Sequence, residues 1–232
     1  EGMGNASDVT IYFEKSTLFN IENVGSLQLK NLNISGAEAP DKPGNAVIRT
    51  SKYPMTHNYK LFMENCDFRD MTVNHSFNVF SVYKHTFADS IYAKNCTFKN
   101  VSGSVFTFDK ESEDLGIYNV ENMYIDQCQF ENIDGAAIDL YRGGTDESTL
   151  GPRLNVVSSK FKNVGFGQRN VKKASIMIHG VQYAFFNQNA FEKSKAINMF
   201  LIVGDPIIKF SENKFIDSEK IISNSDKYEF KE

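Results

Sequence analysis

The chain has 232 residues, 41% hydrophobic and 23% charged, a composition that can bury a sizeable core and gives no reason to expect disorder. Its 25 Lys and Arg against 29 Asp and Glu leave a net charge of −4 with no basic stripe, which argues against a nucleic-acid partner. No apolar run approaches the roughly 20 residues that span a bilayer, so no membrane partner is expected either. The opening EGMGNASDVT lacks the basic start and apolar core of a signal peptide, and this does not point to the cytoplasm.

In chain order, one short unit keeps returning. KNLNISGA (30–37) is followed by ENCDFRDM (64–71), KNCTFKNV (94–101) and DQCQFENI (126–133). SSKFKNVG (158–165), QNAFEKSK (188–195) and ENKFIDSE (212–219) are weaker copies. The anchor is Ile34, then Phe68, Phe98, Phe130, Phe161, Phe191 and Phe215, at spacings of 24 to 34 residues. Between anchors lie short alternating runs such as YKLFM, SIYA, SVFTF, AIDLY, SIMI and FLIV, which read as strands. No stretch holds a helical period. Short strands at a near-constant repeat predict an all-β solenoid, a single-stranded right-handed parallel β-helix of the pectin-lyase-like type, with about seven coils in one domain over 1–232. A propeller blade would need a longer repeat.

Stacked coils place equivalent residues in ladders. Two before each anchor stand Cys66, Cys96, Cys128, Ser159, Asn189 and Asn213, so the three cysteines share one ladder and are expected as buried free thiols. Two after it stand Asp70, Asn100, Asn132, Asn163, Lys193 and Asp217, which predicts amide side chains bonding along the axis. The sequons at Asn33, Asn74, Asn95 and Asn100 read as by-products of this composition.

The second strand of each coil ends near Arg49, Ser81, Asp109, Tyr141 and His179, and long connections leave from that corner. Loops held on one side of a scaffold are the usual place for function. The most distinctive is DLYRGGTDESTLGPR (139–153), where Gly143 and Gly144 let the backbone turn. Three chemistries compete. β-Elimination on a uronate polymer needs a base, an acid and a cation to neutralise the carboxylate, for which Lys110, Tyr141, Arg142 and His179 are the runner-up catalytic set. Hydrolysis needs paired carboxylates, with Asp109, Glu113, Asp114, Asp146 and Glu147 as nominees. In the structural alternative Arg142 pairs with Asp146 or Glu147 and orders its own loop. Metal ligation is not expected: His57, His75, His85 and His179 are scattered, and no ligand spacing occurs.

The succession GNAVIRTS (44–51), SVYKHTFADSIYAKNCTFKNVSG (81–103), DLGIYNVENMYI (114–125), DLYRGGTDESTLGP (139–152) and ASIMIHGVQ (174–182) resembles the C-terminal β-helical domain of polysaccharide lyase family 6, the alginate lyases related to chondroitinase B. The resemblance runs over about residues 9 to 222. It implies a domain that buttresses a separate N-terminal catalytic β-helix, where a Lys base, an Arg acid and a calcium ion act. The Asn and Glu calcium cluster and its Lys and Arg are not recognisable in this sequence, so the resemblance implies no catalytic residue and no cofactor here. The expected partners are that catalytic domain and an anionic polysaccharide, alginate, with a homodimer contact as a further expectation and a secreted or periplasmic setting. Tyr141 would meet a sugar ring, and Arg142, Arg153 and Lys110 its carboxylates, while Gly143, Gly144, Asp146 and Glu147 order the loop.

Overall fold

The computed structural model describes residues 2–3, 9–51, 56–73, 75–83, 86–108, 120–141, 152–200 and 206–225. Among them the regular structure is all strand. The chain cycles through three sheets, here called A, B and C. It begins with β1 (Thr10–Tyr12), β2 (Thr17–Ile21) and β3 (Ser26–Lys30), one strand for each sheet. The same order repeats as β4 (Asn33–Ser35), β5 (Ala46–Thr50), β6 (His57–Glu64), then β7 (Asp67–Met71), β8 (Asn78–Ser81), β9 (Phe87–Lys94). Next come β10 (Thr97–Val101), β11 (Phe106–Thr107), β12 (Val120–Asp126), β13 (Gln129–Ile133), β14 (Ile138–Tyr141) and β15 (Arg153–Val157). The chain continues through β16 (Lys160–Val164), β17 (Ile176–His179), β18 (Tyr183–Asn187), β19 (Ala190–Glu192), β20 (Ile197–Phe200) and β21 (Ile207–Ser211). It closes on β22 (Lys214–Ile216) and β23 (Ile221–Ser223). Every pairing is parallel, and each strand pairs with the strand one cycle away.

The parallel solenoid expected from the repeat is therefore present. The closed part is smaller than expected, however. From β4 to β18 the strands enclose fully buried side chains, about five turns, fewer than the seven coils the repeat suggests. Beyond that the enclosure thins: Phe191, Ile197 and Met199 are still buried, but neither β22 nor β23 has a buried residue. At the other end, β1 has none. A sequence repeat counts units, whereas enclosure also needs a neighbour on both sides.

Sheet A explains the anchor. Ile34, Phe68, Phe98, Phe130, Phe161, Phe191 and Phe215 stand in one register row. From Phe68 to Phe215 the rings lie nearly parallel, with centroids 4.6–5.2 Å apart. Strand spacing of about 4.8 Å is also a good ring-stacking distance, so backbone pairing and aromatic packing reinforce each other. Met71, Val101, Ile133 and Val164, three positions after the anchor, also point inward. Odd spacing would normally send them outward. A left-handed residue between corrects the phase: Asp70, Asn100, Asn132 and Asn163 have φ of 61°, 57°, 55° and 54°. Asn and Asp tolerate that region better than most residues.

Their side chains form the expected ladder. Asn100 Nδ2 donates to Asp70 Oδ1 at 3.2 Å, Asn132 to Asn100 at 3.0 Å, and Asn163 to Asn132 at 3.0 Å. A second ladder was not anticipated: Asn95 donates to Asn65 at 2.8 Å, and Asn65 to Asn31 at 3.1 Å, all three again at positive φ. The Asn before Cys in ENC and KNC carried that signal.

The thiols line up one step further on. Thr97 N donates to Cys66 O, and Gln129 N to Cys96 O, so the three cysteines, all free and buried, occupy successive levels. The ladder continues with Ser159, Asn189 and Asn213, each accepting an amide N–H from the residue below. The neighbouring Cys96 thiol, then burial, pushes Cys66 well above the usual thiol range, and Cys128 does the same to Cys96.

Two outcomes follow from these ladders. Asn132→Ala is expected to cost about 2–3 kcal/mol in urea titration, from left-handed strain and lost amide bonds. Asn132→Gly should cost distinctly less, because Gly enters that region freely; equal losses would show that backbone strain is unimportant there. Since the thiolate is the reactive form, an aromatic disulfide reagent at mildly alkaline pH should label Cys66 and Cys96 only after denaturant is added.

Candidate functional site

The corner where sheet B hands over to sheet C is built by strand alternation. In β14, β17 and β20, Leu140, Ile178 and Met199 point inward and are buried, so the next residues, Tyr141, His179 and Phe200, point outward in one register row. Their rings stack. Tyr141 and His179 lie 4.3 Å apart at 14°, and His179 and Phe200 4.8 Å apart at 27°. Tyr141 and His179 are half-buried. Strand β14 ends at Tyr141, and β15 of sheet C begins at Arg153.

Of the residues expected at this site, the structure brings Tyr141 and His179 into contact. Arg153 lies on sheet C, exposed, with its guanidinium carbon 5.3 Å from the Tyr183 ring centroid. Lys110, Arg142, Gly143, Gly144, Asp146 and Glu147 lie outside the described residues, as do Asp109, Glu113, Asp114 and His85. Phe200 was missed, because FLIV reads simply as another strand. The corner alignment also needs a correction: Arg49 does not share the row of Tyr141. Register carries Arg49 to Ser81, Thr107 and Asp139, two positions earlier. Arg49 instead bonds the Gly44 carbonyl and lies 5.4 Å from the Tyr83 centroid, donating to Tyr83 Oη at 3.4 Å. These two, with Thr17, Leu18, Phe19 and Asn20, line a recess of about 310 Å³.

The geometry limits what the aromatic row can do. A stacked ring has its faces occupied by its neighbours, so His179 presents only an edge. A sugar therefore cannot stack on His179. Arg153 is better placed for a carboxylate: lying over Tyr183, its guanidinium keeps in-plane N–H donors for a bidentate partner. Among the described residues, no group of three or more His, Cys, Asp or Glu could hold a metal ion.

Comparison with known proteins places this geometry. No family model matches the chain, and no curated protein does. Solved structures do. The PL6 family alginate lyase AlyGC matches with a TM-score of 0.91 and 37% identity over 95% of this chain. An arginine-to-alanine mutant of AlyGC matches with a TM-score of 0.89 and 38% identity over 92%. In both cases the match covers 30% of the other chain, so this chain spans about a third of the length of those enzymes. Over more than nine-tenths of its length, this chain is a β-helix domain of the PL6 family.

Proposed function

We propose that this chain is the accessory, C-terminal-type β-helix of an alginate lyase, without catalytic activity of its own, bracing a separate catalytic β-helix and binding anionic polysaccharide. One observation carries the reading: nearly all of this chain matches a part, 30%, of an alginate lyase. The calcium chemistry of the reaction then belongs to the catalytic β-helix. The corner supplies contacts to the polymer. Arg153, with Arg142 and Lys110, meets uronate carboxylates, and Tyr141 meets one sugar ring. Gly143, Gly144, Asp146 and Glu147 shape the loop between. A polymeric substrate is met outside the cytoplasm, in a secreted or periplasmic setting. Burial of all three thiols keeps them inert there.

A second reading is a self-sufficient lyase. It is favoured by the contact of two titratable rings, Tyr141 and His179, beside the loop that carries Arg142. Elimination would then use one ring as base and the other as acid.

Turnover separates the two. The purified chain, mixed with alginate, is expected to give no ultraviolet absorbance from unsaturated product. Product that disappears on His179→Ala would overturn the accessory reading. In a binding titration with an oligouronate, Arg153→Ala should weaken affinity by about tenfold, the loss typical of a charge-assisted bond. Affinity of the unaltered chain should also fall as salt rises.

A further inference from the structure

A different edge of the solenoid carries a second site. Between sheets A and B most coils turn in a few residues, but 36–45 and 165–175 are longer, and 165–175, between β16 and β17, runs back over the preceding coils. The excursion is tied down. Gly165 turns at φ 94°, and Gly167 donates its N–H to Asp134 O at 2.9 Å, so close that a Cβ would meet the Asp134 side chain. Asn170, 9% exposed, donates from Nδ2 to the carbonyls of Gly165 and Ala174 at 2.9 and 3.0 Å. This clamp fixes the two cations around it, Arg169 and Lys172.

Both cations face a recess of about 150 Å³ that also has Asn78, Ser104, Thr107 and Asp139 in its lining. That is the liquid volume of about five waters, or one pyranose ring. A second depression of about 250 Å³ shares Ser102 and Arg169 with it and adds Asp134. Neither Arg169 nor Lys172 makes an ion pair with any described residue. The floor holds an independent signal: Thr107 is 7% exposed, and its Oγ1 has no hydrogen-bond partner among the described residues. A buried hydroxyl without a partner is costly, and a ligand that bonds it removes the cost. Asn78 Oδ1 accepts from Ser104 N at 2.8 Å, which leaves its amide N–H groups for a ligand.

We propose that this recess binds one uronate unit of an anionic saccharide, with Arg169 and Lys172 on the carboxylate and Thr107, Asn78 and Asp139 on the ring hydroxyls. The floor chemistry selects the ligand class. The carboxylates of Asp139 and Asp134 repel a compact anion such as phosphate but accept hydrogen bonds from a polyol. The cations at the rim demand one negative charge on that polyol. The uronate identity rests on the proposed polysaccharide function, but the site lies on a different edge from the Tyr141 corner and is separable from it.

Amide chemical shifts of the isotope-labelled chain, titrated with an alginate trisaccharide, test this. The result expected is movement at Ser104, Thr107, Gly167, Arg169 and Asn170, with none on adding a neutral trisaccharide. Arg169→Ala, an exposed change that spares the fold, should weaken this response about tenfold. Thr107→Val should raise Tm by roughly 2–4 °C by removing the unpartnered hydroxyl, and weaken binding at the same time. A Tm rise with unchanged binding would overturn the role given to the floor. Shifts confined to Tyr141, His179 and Arg153 would overturn this site and leave the proposed function standing. No shifts anywhere would overturn both, and an equal response to the neutral sugar would overturn the uronate assignment.

Discussion

Parallel pairing in exact register between like residues is the constraint on which this molecule depends. Each strand bonds to the strand one cycle away, so whatever occupies a position meets its own kind above and below. Few side chains gain from that arrangement. Phenyl rings do, because strand spacing matches ring stacking; carboxamides do, because each has a donor for the acceptor of the next. Like charges directly stacked would repel. The Phe row, the two Asn ladders and the thiol row are thus four answers to one geometric demand.

The same demand restricts binding on the outside. Aromatic residues exposed in register stack on one another, as Tyr141, His179 and Phe200 do, and as Tyr92 and Tyr124 do on sheet C at 4.7 Å. Rings engaged in this way cannot also offer flat faces to sugars. Under the proposed function, recognition of a polymer falls to places where the repeat is broken: the corner between Tyr141 and Arg153, and the clamped excursion around Asn170. A long β-helix face is a scaffold first, and its interruptions carry chemistry.

Much of the scaffold was legible before any coordinates. The Asn ladder after the anchor and the buried thiol row follow from spacing alone, and both are present. Other features were not. The apolar runs put Arg49 level with Tyr141, whereas its register is two residues earlier, because the outward residues of these strands have no common type to mark the row. The edge recess is not legible in the sequence because Asn78, Ser104 with Thr107, and Arg169 lie in three different coils with nothing to connect them in one dimension.

The repeat of Phe with Asn two residues later determined by itself that this chain is a parallel solenoid, because only in-register stacking rewards such a pattern at every level. Resemblance in the corner segments indicated the PL6 family. How many turns close around a core, about five, depended on the tertiary structure, since a unit is enclosed only where coils on both sides cover it. Which outward residues meet was likewise decided there. A residue at positive φ shifts the alternation, and that phase is set by backbone geometry more than by residue type.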